Sequence, residues 1–385
     1  MAKKVPTRAT ASRDHTPVPL ASSSLSSEAA ATYAARFTDR YAADFFRTAL
    51  SGRFVSSIGI GTYLGECSGE DDAAYTDAIA AALDAGVNVV DTAINYRCQR
   101  SERAVGLAVR RAMDAGMPRE AIVVCTKGGY LPMEDRPPKS RDDYRAYLKR
   151  EFFSTGILTP DDVVGGGHSI SPTFLRYSIT KSRENLGISK IDLYYLHNPE
   201  QQLAAVAPAS VRERLRAAFM VLEDAVSRGE IGVYGCATWN AFRVPPGNKS
   251  HLSMFDLVAI AHEVAGDDNH FRAVQMPVNL GMPEAFRVPT QEIGSKKSLV
   301  PALEAAPSLG LSVMASASLM QAQLTHDLPA SMRELVPSQE TDAQRALAFV
   351  RSLHGVTTAL VGTRSRQHLD ENLASAERAR STSQQ

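Results

Sequence analysis

Eight times along this chain a short apolar run is followed by a segment of helical period. The runs are SIGIGTYL (57–64), NVVDTA (88–93), AIVVCTK (121–127), IDLYYLHN (191–198), GVYGCAT (232–238), AVQMPVNL (273–280), LSVMASASL (311–319) and TTALVGT (357–363). The helix-period segments follow at 72–85, 101–116, 171–187, 212–229, 255–265, 300–309, 343–353 and 366–379. Gly86, Gly187, Gly229 and Gly310 punctuate helix ends, where a left-handed residue closes the last turn. Strands that read as continuous apolar runs belong to a parallel sheet covered by helices. Eight such units in about 320 residues predict an α/β chain closed into a (β/α)8 TIM barrel. An open, doubly wound sheet would call for a Gly-rich first turn, and no G-x-G-x-x-G follows an early strand.

Three segments stand outside the alternation. Residues 1–27 are rich in Ser, Thr, Lys and Arg and lack the apolar stretch of a secretory signal, so the composition predicts a flexible tail rather than an address. In 28–50, Tyr33, Phe37, Tyr41 and Phe45 recur every four residues, which predicts one N-terminal helix docking an aromatic stripe on the body, or serving as a lid. The barrel itself is expected over 51–385, with residues 130–170 as a long insertion after the third strand, folded at the barrel mouth. Within it, GGGH (165–168) reads as a turn or as an anion cradle of backbone N–H groups.

The 42 basic and 42 acidic side chains balance, which gives no reason to expect nucleic acid or an anionic membrane as partner. No apolar run approaches the ~20 residues of a membrane helix. Cys67, Cys98, Cys125 and Cys236 show no C-x-x-C spacing and read as reduced thiols of a cytoplasmic protein, with no metal site.

In a parallel barrel the C-terminal strand ends share one face. Asp91 and Tyr96 follow the second strand, Lys127 ends the third and His197 the fourth, so four polar groups converge. A phenol donates a proton at neutral pH, and a nearby ammonium favours its anion and makes it a better acid. Asp91 would keep the lysine charged and oriented, and His197 would hydrogen-bond a carbonyl oxygen. The group suits protonation of an oxygen as hydride reaches its carbon.

These residues resemble the aldo-keto reductase family: DTAINY (91–96), TK (126–127) and LHNPE (196–200) match its motifs in order and strand context. The resemblance implies Tyr96 as general acid, Lys127 and Asp91 tuning it, and His197 orienting the substrate carbonyl. It also implies NADPH (NADP+) as cofactor. Gln275 in VQMPVN would contact the nicotinamide carboxamide, with Thr62 and Tyr63 beside the nicotinamide ribose. ASASLMQAQL (315–324) stands where a loop covers the pyrophosphate, giving Ser316, Leu319 and Gln323. In VGTRSRQHLDEN (361–372), Gly362 is followed by Glu371 and Asn372 at the adenine, and Thr363, Arg364 and Gln367 lie where a 2′-phosphate would sit.

Two departures accompany the likeness. The fifth strand reads GCATWN in place of the family's Gly-x-Ser-Asn, leaving Thr238 and Asn240 to hold the carboxamide. The seventh-strand loop lacks glycines and so the freedom they give a backbone near a pyrophosphate. Tyr63, Tyr130, Asn198 and Trp239, with Arg243 near them, would line an aromatic pocket suited to an apolar or ring-containing carbonyl. The function implied is reduction of an aldehyde or ketone to an alcohol. The same residues leave room for a regulatory, cofactor-binding barrel and for a non-redox lyase or isomerase.

Overall fold

The computed structural model describes residues 24–294 and 298–378. The expectation of a tail over 1–27 lies outside the described residues up to residue 23. From Ser24 the chain is helical as far as Ala35.

Each of the eight apolar runs is a barrel strand: β1 Ile58–Gly61, β2 Val89–Asp91, β3 Val123–Gly128, β4 Ile191–His197, β5 Ile231–Ala237, β6 Phe271–Pro277, β7 Ser312–Ser316 and β8 Val356–Gly362. They are parallel, each pairs with its successor, and β8 closes on β1. A helix stands after each strand: α1 Gly69–Asp84, α2 Arg100–Asp114, α3 Pro172–Leu186, α4 Pro208–Ser227, α5 Met254–Ala265, α6 Ala302–Ser308, α7 Asp342–Ser352 and, after β8, α8 Arg366–Ala374. Alternate strand residues fill the barrel interior, among them Val89, Val123, Cys125, Leu193, Tyr195, Ala273, Met314 and Leu360. The opposite faces, such as Ile60, Val90, Val124 and Val274, pack against the helices in a second, larger cluster. Strand register then sets the rim: Asp91 lies level with Gly61 and Cys125, Lys127 with Tyr195, and Ala237 with both His197 and Gln275.

The expected helix over 28–50 is a correction. It stops at Ala35, turns follow, and Phe46–Ala49 pairs with Arg53–Ser56 as an antiparallel hairpin. The aromatic stripe is buried all the same, by a different route. The Tyr33 hydroxyl donates to Leu83 O at 2.5 Å and the Tyr41 hydroxyl to Ala85 O at 2.6 Å, so both anchor on the end of α1. That end feeds the start of β2, at the foot of the barrel, away from the strand ends where a lid would act. Leu50 and Val55 of the hairpin enter the interior cluster and close the foot.

Residues 130–170 fold as their own layer. The helix Arg141–Leu148 runs into a wider turn over Lys149–Phe153, and Leu131, Leu148, Phe152, Leu158 and Phe174 form a small core beneath it. No described helix is long and apolar enough to cross a membrane, and all four cysteines are free thiols.

Candidate active site

The rim of β2, β3 and β4 brings the four expected groups together. Lys127, fully buried, donates from Nζ to Asp91 Oδ1 at 2.5 Å and to Thr92 O at 2.8 Å. Its Nζ lies 5.0 Å from the centroid of the Tyr96 ring. The His197 ring stands edge-on to Tyr96 at 5.7 Å between centroids. After Tyr96 the chain kinks sharply, with Arg97, Cys98 and Gln99 all left-handed at φ 47, 54 and 70°. Three such non-glycine residues in a row are costly, and the bonds of Arg97 to Glu66 O, Ser68 O and Asp72 hold the kink. The kink lets Tyr96 stay at the rim while α2 begins immediately outside it.

Electrostatics at this cluster are decided by burial and by one ion pair. Burial alone would pull Lys127 down, but the Asp91 carboxylate and the phenol of Tyr96 carry it above the usual lysine range, so it is an ammonium. Burial pushes the Tyr96 phenol up, and Lys127, through charge and a hydrogen-bonding interaction, pulls it only part of the way back. The net direction is upward, opposite to a simple expectation from Lys127 alone. Burial, then the charge of Lys127, holds His197 well below the usual histidine range, so its ring is neutral.

Behind these four stand Gln275, named above for a different contact, and His168 and Glu200, to which sequence reasoning gave no role at the site. Gln275 Nε2 donates to Asp91 Oδ2 at 2.9 Å, so Asp91 is held from both sides. His168, the last residue of GGGH, has Nε2 2.8 Å from His197 O and Nδ1 2.8 Å from Gln202 Nε2. A carbonyl accepts only from an N–H, which fixes the proton on Nε2 and leaves Nδ1 to accept. Burial pushes His168 down to about 4, in keeping with this neutral form. The glycines make a tight turn, with Gly165 and Gly166 at φ 56 and 75°, and Tyr144 donates to Gly166 O. Glu200 Oε1 accepts Trp239 N–H at 2.9 Å, its Oε2 is buried without a partner among the described residues, and burial pushes its carboxyl up to about 7. A histidine ending a glycine run, and an acid three residues past the histidine-bearing strand end, were the available signals.

A cavity of about 680 Å³ opens over the cluster. Asp91, Tyr96 and His197 line its floor with Thr62, Tyr130 and Asn198. Asn198, left-handed at φ 47°, donates from Nδ2 to the Tyr130 hydroxyl at 2.9 Å. Tyr63 and Trp239 stand 58% and 43% exposed at its mouth, joined by Leu64, which the sequence did not single out. Thr238, Gln275, Ser316 and Leu319 form one wall, and Gly362, Glu371 and Asn372 with His368 form the far end. Thr238 Oγ1 is buried there with no partner among the described residues, as is Asn95 Oδ1.

Other expected residues are placed elsewhere. Asn240 is exposed, outside the lining, with its Oδ1 taking a bond from Arg243. Arg243 is buried against Glu284 at 2.6 Å and donates to Trp239 O, so it braces the loop instead of facing the cavity. Gln323 is exposed, and Gln321 and Ala322 line the cavity in its place. Left-handed φ values at Ala317, Met320, Gln321 and Ala322 curl the loop and shift its register. Thr363 turns its hydroxyl to Ser365 O, Gln367 is exposed, and Arg364 forms an ion pair with Asp71; none of the three lines the cavity.

A profile of the Aldo/keto reductase family matches residues 57–245, a span that holds Asp91, Tyr96, Lys127 and His197 but ends before β6. A D-threo-aldose 1-dehydrogenase from a Pseudomonas species is 32% identical over 167 residues, 43% of this chain and 44% of that protein, so the match spans under half the relative's length. Two solved structures share the fold over 86% of this chain. One is an aldo/keto reductase from Klebsiella pneumoniae in complex with NADP and acetate (TM-score 0.56, 20% identity, 89% of that chain covered). The other is an aldo-keto reductase from Bacillus halodurans in its holo form (TM-score 0.57, 17% identity, 90% of that chain covered).

Proposed function

Over residues 57–245 this chain belongs to the aldo-keto reductase family, and from that premise we propose that it is an NADP(H)-dependent oxidoreductase that reduces an aldehyde or ketone to an alcohol. The observation that carries the proposal is the buried Lys127 ammonium, fixed on Asp91 and set beside the Tyr96 phenol on a cavity floor. A bare ammonium at that depth is unfavourable without its carboxylate, so the pair is a standing source of field at the phenol.

The residues divide the work as follows. His197, neutral and at the cavity floor, hydrogen-bonds the substrate carbonyl oxygen and sets its direction. Tyr96 gives its phenolic proton to that oxygen as negative charge develops. Lys127 stabilises the tyrosinate left behind, and Asp91, clamped by Lys127 and Gln275, keeps the ammonium in place. A bound dinucleotide would supply the hydride. Thr238, Ser316, Gly362, Glu371 and Asn372 would hold it. The partnerless Thr238 Oγ1 in the wall fits a carboxamide, whereas Gln275 is committed to Asp91. The upward shift of Tyr96 keeps the phenol protonated at neutral pH, the form in which it can give a proton to the carbonyl oxygen.

The exposed Tyr63, Leu64 and Trp239 suit a substrate with an apolar face or ring. The relative named as an aldose dehydrogenase makes sugars a first class to try in the oxidative direction. The test is NADPH consumption with a panel of aldehydes, ketones and aldoses, wild type against Tyr96→Phe. Loss of the general acid lowers kcat by about 10² to 10⁴ while leaving dinucleotide binding in place. Turnover by Tyr96→Phe at the wild-type rate would sink the mechanism.

A further inference from the structure

We propose that Asp71 sets this chain's choice between a 2′-phosphorylated dinucleotide and one with a free 2′-hydroxyl, by holding Arg364. The inference rests on the dinucleotide reading above and concerns the adenosine end of the same cavity.

Arg364 is the guanidinium at the turn from β8 to α8, where the resemblance places a 2′-phosphate. Its Nη1 is ion-paired with Oδ1 of Asp71, in the first turn of α1. The other oxygen, Oδ2, accepts Glu66 N–H at 2.5 Å. Burial would raise this carboxyl, but the Glu66 N–H and Arg364 outweigh it and keep it below the usual range, so it is a carboxylate. Asp71 itself is buried. The pair adjoins the cavity: a Cβ at Gly65 would lie 2.6 Å from Asp71 Oδ2 and 3.3 Å from Arg364 Nη1, and the preceding residue, Leu64, lines the cavity. The next guanidinium, Arg366, is matched by Asp370 at 2.9 Å, and Glu371 adds a further acid at the lining. Both guanidiniums between β8 and the first turn of α8, Arg364 and Arg366, are therefore already paired.

This arrangement treats the two ligands differently. A 2′-phosphate must take Arg364 from Asp71 and then sit beside the freed carboxylate. A 2′-hydroxyl can donate a hydrogen bond to the carboxylate, and the ion pair need not break. The Asp71–Arg364 pair thus tempers a preference for NADP(H) and admits NAD(H). Because the Asp71 side chain also holds Glu66 N–H, exchange of Arg364 reaches the loop that carries Tyr63 and Leu64.

The test is equilibrium titration of the whole protein with NADPH and NADH, followed by quenching of Trp239, the chain's single tryptophan. Asp71→Asn keeps the shape and an acceptor for Glu66 N–H while removing the charge. It is expected to raise the NADPH-to-NADH affinity ratio about tenfold or more. Asp71→Ser, a second variant able to accept from Glu66, is expected to shift the ratio the same way, and adding Arg364→Ala to either variant is expected to abolish the gain. An unchanged ratio in both folded Asp71 variants, with both dinucleotides binding, overturns the assignment and leaves the oxidoreductase reading intact. A folded wild type that binds neither dinucleotide overturns both.

Discussion

At the scale of single residues the cluster is governed by the Asp91 carboxylate. Its oxygens are divided between the ammonium of Lys127 and the amide of Gln275. Asp91→Asn keeps the shape but removes the charge that lifts Lys127. Burial, the largest influence on Lys127, then acts unopposed by that carboxylate and pulls the ammonium toward deprotonation. The sign follows: Lys127 loses its proton at a lower pH, and the proposed reductase activity declines at a lower pH in Asp91→Asn than in wild type. Profiles of kcat/KM against pH check this, and superimposable alkaline limbs would count against it. The four rim residues were legible in sequence because a strand end dictates where its side chain goes. The pairing of Arg364 with Asp71 was not, because the two lie 293 residues apart and no local pattern announces it. His168 and Gln202 escaped for the same reason: their bonds join the insertion to the segment after β4.

Among elements, the eight strands were legible because continuous apolar runs bounded by glycines have few other uses in a chain of this length. The hairpin at the foot was not. The four-residue aromatic spacing that precedes it is satisfied equally by one helix and by a short helix followed by turns, and only contact with α1 distinguishes them. The β7 loop posed a related difficulty. Without glycines it was expected to lack freedom, yet Met320, Gln321 and Ala322 adopt φ of 49, 53 and 71°. Each such residue costs about 1 to 2 kcal/mol, less the ~0.5 to 1 kcal/mol that glycine loses in chain entropy. Ala322→Gly is therefore expected to stabilise the protein by about 0.5 to 1 kcal/mol, seen as a higher urea midpoint. A midpoint equal to or below wild type would mean that the loop relaxes out of this conformation in solution.

For the whole molecule, stability and the mouth are linked through pH by three buried groups. Glu200 is pushed to about 7 from an ordinary 4.5, so between those values the folded state holds a proton that the unfolded chain has lost. Stability from this group falls as pH rises through that window, by up to about 3 kcal/mol. His168 and His197 act with the opposite sign. Both are held below the usual 6.5, His168 at about 4, so the unfolded chain binds protons the folded one refuses, and stability rises with pH until about 6.5. In the wild type the two slopes oppose each other. Glu200→Gln keeps an acceptor for Trp239 N–H but removes the falling contribution. Its unfolding free energy should then climb more steeply than that of wild type between about pH 5 and pH 7, and exceed it most at the upper end. Urea unfolding across that range measures both curves. Parallel curves would show that the Glu200 carboxyl titrates as an ordinary acid. The Trp239 loop, on which the mouth depends, would then be held by a carboxylate throughout.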